Sequence, residues 1–231
     1  MKQAERNRVD LVGPFRRAYD SMWRAKWRPD IPFDPAHGLD FAERYRLSAP
    51  GFSEKDLRLL LDRVRGVELP TQYVEFLKAC SFDELDIPWL EFASTRQRPT
   101  DWDFDYDILG GKLVSFAYEQ ERSGVFCFDY RDSSSGETAP IVLFRFTSPD
   151  SPPWIVGPVF SCFDAVLSVL TAVLESDAAG VPLYFETDPE PEQLQLVRRL
   201  KGMDPSGFGG PGWEARWKRF LLRGRLDLME D

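Results

Sequence analysis

The stretch Thr100-Asp101-Trp102-Asp103-Phe104-Asp105-Tyr106-Asp107-Ile108-Leu109-Gly110-Gly111-Lys112-Leu113-Val114-Ser115-Phe116-Ala117-Tyr118 decides the fold. From Trp102 the side-chain period is two, that of a β-strand, where successive residues point to opposite faces. One face of the first strand carries Asp101, Asp103, Asp105 and Asp107, and the other carries Trp102, Phe104, Tyr106 and Ile108. Gly110-Gly111 is a hairpin turn signal. The pattern predicts strands over Asp103–Leu109, Lys112–Tyr118, Gly124–Tyr130 and Ala139–Phe146. Arg131 to Thr138 forms a longer polar loop, and such short connections favour an antiparallel meander.

On either side of this run the period is helical. Residues Glu5 to Trp27 place apolar side chains at helical spacing, with the main helix predicted to start near Pro14. A Pro/Asp-rich link follows, Pro29 to His37, then a short helical segment, Leu39 to Tyr45. Ser53-Glu54-Lys55-Asp56 has the form of an N-cap followed by acids, and Gly66 ends the helix it opens. Leu69-Pro70 introduces a second helix, Thr71 to Cys80, with Tyr73, Val74, Phe76 and Leu77 facing inward and Pro70 suited to its first position. After Pro158 an apolar helix follows, bearing Phe160, Phe163, Val166, Leu167, Leu170, Val173 and Leu174. Pro189 to Leu200 reads as a further helix, Asp204 to Gly212 as an irregular loop, and Trp213 to Leu222 as a last helix. The order of helices, sheet and helices predicts an α+β protein. Its central antiparallel sheet would have four to six strands, with helices packed on one side and helical extensions at both ends. The corresponding division is an extension over 1–50, an α+β domain over 51–178 and a second extension over 179–231.

The chain of 231 residues carries a formal net charge of -9. That balance opposes direct nucleic-acid binding, which needs a basic field, and suits a basic protein partner. The charge is uneven. Between Asp83 and Asp107 stand eight acids and two bases, Arg96 and Arg98, whereas the first thirty residues hold eight bases and four acids. Cys80, Cys127 and Cys162 are widely spaced and form no CxxC pair, which predicts buried thiols in a reducing cytoplasm. The start, MKQAERNRVD, lacks an apolar segment, so no secretory signal is expected, and no apolar run is long enough to predict a membrane span.

Chemistry finds few carriers. The one histidine, His37, lies in the Pro/Asp-rich link, so a Ser-His-Asp or Cys-His arrangement would depend on it alone. The D-x-D-x-D run resembles the start of a calcium loop but has Tyr106 where glycine is needed and Lys112 where a glutamate belongs. The glycines from Gly207 to Gly212 match neither a P-loop nor a dinucleotide fingerprint. No catalytic, metal or cofactor-binding residue is therefore expected. A hydrolase built on a carboxylate pair stays open, because acids are plentiful and none is singled out. The acidic strand face reads either as a partner surface or as a solvated edge that blocks unwanted pairing.

A set of motifs resembles the SUKH superfamily, which contains bacterial toxin-immunity proteins and fungal regulators of cell-wall synthesis. Gly66-Val67-Glu68-Leu69-Pro70-Thr71-Gln72-Tyr73-Val74-Glu75-Phe76-Leu77 is similar to its G-x-x-LP-x-x-Y-x-x-FL helix pair. Gly124-Val125-Phe126-Cys127-Phe128-Asp129 is similar to its strand, the run beginning Pro140-Ile141-Val142-Leu143 to the next, and Phe160-Ser161-Cys162-Phe163-Asp164-Ala165-Val166-Leu167 to its closing helix. The resemblance covers roughly residues 53–176. The family's Asn-Gly after the second helix is replaced by Cys80-Ser81-Phe82-Asp83. The resemblance implies a non-enzymatic binding domain without cofactor. Its members commonly neutralise a toxin made by the same cell, often a nuclease. The expected partner is thus a cognate, basic protein toxin in the cytoplasm, with neither nucleic acid nor membrane bound directly. The candidate contact residues are Asp83, Glu84, Asp86, Asp101, Asp103, Asp105 and Asp107 for the field, with Trp89 and Trp154, both beside prolines in expected loops, as aromatic anchors. A regulatory or scaffolding module with another partner is the alternative.

Overall fold

The computed structural model describes residues 9–26, 45–64, 66–85, 87, 90–101, 112–119, 124–132, 136–145, 154–181 and 190–208. Among them are six helices: α1 (Val12–Lys26), α2 (Glu54–Arg63), α3 (Thr71–Ala79), α4 (Phe163–Ala178), α5 (Pro191–Met203) and the single turn α6 (Pro205–Phe208). Five strands, β1 (Leu90–Phe92), β2 (Leu113–Glu119), β3 (Gly124–Asp129), β4 (Ile141–Arg145) and β5 (Trp154–Phe160), pair antiparallel in the order of the chain. The helices lie on one side of this sheet, so the protein is α+β.

Local chemistry sets the helix ends. Ser53 caps α2 through a reciprocal box: the Asp56 amide donates to Ser53 Oγ at 3.3 Å and the Ser53 amide to Asp56 Oδ2 at 3.1 Å. Gly66 follows with φ of 88°, a conformation open to glycine at little cost. Pro70 is the N-cap of α3 rather than its first residue, and its carbonyl accepts from the Val74 amide. The amide of Thr71 is capped from a distance, by Glu137 Oε1 at 3.1 Å. This contact ties the β3–β4 loop to the start of α3. Gly136 makes it possible, since a Cβ there would overlap the Glu68 carbonyl and the Leu69–Pro70 peptide.

β2, β3 and β4 stand where strands are predicted, with a bulge between Ser115 and Ala117, and nearly all their positions are buried. Phe116, Phe126 and Phe128 face the helices. Tyr73 of α3 and Phe163 of α4 meet them: the ring centroids are 5.2 Å apart for Tyr73–Phe128, 5.1 Å for Tyr73–Phe163 and 5.9 Å for Phe128–Phe163. Val125 and Cys127 point the opposite way and are buried as well. α4 is buried almost all round, and both α1 and α5 pack against it. Phe15, Tyr19 and Met22 bring α1 into the one hydrophobic core that also holds the sheet, so the core does not break at residue 50.

Several expectations change. Trp154 does not sit in a loop but opens strand β5, which the sequence reading gave to a loop and a helix start. Asp101 ends a short 3-10 turn, Pro99–Asp101, and not an extended run. β1 was not predicted. Part of the expected Asp204–Gly212 loop is the turn α6. The strand Asp103–Leu109, the segment Leu39 to Arg44 and the helix Trp213 to Leu222 lie outside the described residues.

Candidate functional site

Of the nine candidate contact residues, Asp86, Trp89, Asp103, Asp105 and Asp107 lie outside the described residues, and Asp101 and Trp154 are described by backbone alone. Asp83 and Glu84 have described side chains, both half-buried. They stand on the segment that links α3 to β1 and runs on to the turn at Pro99.

Hydroxyl groups hold this segment closed. Thr95 Oγ1 donates to the Cys80 carbonyl at 2.8 Å and accepts from the Phe82 amide at 3.0 Å, while Ser94 Oγ donates to the Phe82 carbonyl at 3.0 Å. The Ser48↔Ser81 bridge clips its beginning to the strand-like residues before α2. Phe82 is fully buried, which fixes the direction in which Asp83 leaves the core. Asp83 Oδ2 lies 2.8 Å from an Arg96 guanidinium nitrogen, and its Oδ1 is 3.3 Å from Ser94 Oγ. Arg96 also donates to the Arg46 carbonyl at 3.4 Å. The candidate acid thus has its counter-charge inside the chain. Its partner is thirteen residues away, a distance at which no sequence period brings two side chains together.

Two further carboxylates follow the same rule. Glu119 is wholly buried at the end of β2 and bonds Arg145 of β4 at 2.7 Å, across the intervening strand β3. The residue crossed is Gly124, where a Cβ would meet Arg145 Cγ at 3.1 Å and the Phe144 carbonyl at 2.7 Å. Asp129 is held by Arg131, with a shortest contact of 2.7 Å, and this hydrogen bond raises the Arg131 pKa above its usual value. Charges buried in this way need a partner, because the desolvation cost is otherwise several kcal/mol.

The thiols are placed differently. Cys80 and Cys127 are buried, and Cys162 is half-buried at the N-cap of α4. Burial pushes the Cys80 thiol up to about 12, with Arg16 opposing and Asp20 adding to the shift. Burial, followed by Glu68 and Glu137, likewise raises Tyr130, whose hydroxyl donates to the Glu68 carbonyl at 2.8 Å. Among the described residues, no group of three or more His, Cys, Asp and Glu side chains is placed to hold a metal ion, and no helix is long and apolar enough to cross a membrane. His37 lies outside the described residues, and so does the D-x-D-x-D run after Asp101.

Two solvent-open grooves are formed among the described residues. One, of about 360 Å³, lies between the start of α1 and α3 beside Asp10, Gln72 and Glu75. The other, of about 490 Å³, lies between the end of α4 and α5.

No family model matches the chain, and no curated protein matches it.

Proposed function

We propose that this chain is a non-enzymatic binding domain of the SUKH type that neutralises a basic, nuclease-type protein toxin through an acidic surface. The observation that carries the reading is the separation of its charges. Asp83, Glu119 and Asp129 are each met by an arginine of the same chain at 2.7–2.8 Å. The formal excess of -9 therefore rests on other acids, and the run Asp101, Asp103, Asp105 and Asp107 puts four of them within seven residues, as Glu186, Asp188, Glu190 and Glu192 do later in the chain. Such a field accelerates encounter with a basic partner and competes with the phosphates that partner binds. Asp83 has its charge met by Arg96 within the chain.

The fold is compatible with the reading. Two helices, the meander and a closing helix follow one another in the order the motif resemblance implies. Tyr73, Phe128 and Phe163, one from each of three motifs, share one aromatic cluster. The residues that carry the resemblance are thus core residues, and they support the scaffold more than the partner.

The test is charge reversal on the run. A chain carrying Asp103→Lys and Asp105→Lys is mixed with the toxin domain encoded beside its gene, and association is followed at several salt concentrations. Association should slow roughly tenfold or more at low salt, with a flatter salt dependence. Association as fast and as salt-dependent as that of the unaltered chain would remove the acidic run from the interface. Absence of a toxin gene in that neighbourhood would favour a regulatory partner.

A further inference from the structure

We draw no further inference here: the strongest candidate, the buried carboxylate of Asp204 at the corner between α5 and α6, has its oxygens taken up by the Ser161 and Gly207 amides and the Ser206 hydroxyl and serves to close that corner, so nothing about it points to a ligand or a partner.

Discussion

At the scale of single residues, burial rather than identity sets the chemistry. Cys80 is an ordinary thiol in the sequence, yet desolvation raises it from 9.0 to about 12 in the folded chain. The folded state therefore binds one more proton than the unfolded state between those values, and stability must fall as pH rises through that window. Tyr130 is shifted in the same direction. Urea unfolding measured from pH 8 to 12 should show a steady loss of stability above pH 9, and Cys80→Ala should make that loss shallower. A pH profile identical in both chains would assign the alkaline loss to other groups. The same burial should keep Cys80 unreactive towards thiol reagents at neutral pH while the chain is folded. From sequence, the three scattered cysteines already favoured buried thiols. The arginines that meet Asp83 and Glu119 were not legible, because each pairing joins residues brought together only by the tertiary fold.

At the scale of elements, legibility followed the strength of the local pattern. α2 and α3 were readable because Ser53, Gly66 and Pro70 mark their ends chemically. β2, β3 and β4 were readable because each is a short run rich in aromatic and β-branched residues bounded by turn signals, although both faces of each are largely buried. β1 has three residues, too few for a period to show. β5 carries Gly157-Pro158 in its middle, and proline belongs in a sheet at an edge, which is where β5 lies. The Gly124 crossing makes a sheet-level prediction. Gly124→Ala should destabilise the chain by about 2–3 kcal/mol, because the added methyl meets the Phe144 carbonyl and pushes Arg145 away from the buried Glu119. Glu119→Ala should cost about 3 kcal/mol by leaving the guanidinium without that carboxylate. Combining the two should cost clearly less than their sum, which chemical unfolding of the four chains would measure. Full additivity would mean that Gly124 serves only the backbone.

At the scale of the whole molecule, the helical layer is built from both ends of the chain. The sequence suggested an N-terminal helical extension, and Phe15, Tyr19 and Met22 of α1 are buried in the same core as α4. Each such side chain contributes about 2 kcal/mol by burial, a large share of the stability of a typical domain. A chain starting at residue 45 should therefore lose cooperative thermal unfolding and bind a hydrophobic dye. A sharp transition near that of the full chain would show that the rest folds alone. The candidate interface was legible as a charge pattern but not as a surface. Alternation says which acids share a strand face, while the three-dimensional pairing of Asp83 with Arg96 decides which acid has charge to offer.

The packing of α1 on α4 also has a consequence in time. About 140 residues separate the end of α1 from the start of α4. At synthesis rates of roughly 5 to 20 residues per second, α1 waits on the order of ten seconds to half a minute before its docking partner exists. During that interval its apolar stripe has only the partial cover of α3, where Phe15 meets Phe76, whereas each strand of the meander meets its neighbour soon after it is made. The nascent chain is thus most exposed to aggregation, and most in need of a chaperone, at its first helix rather than in its sheet.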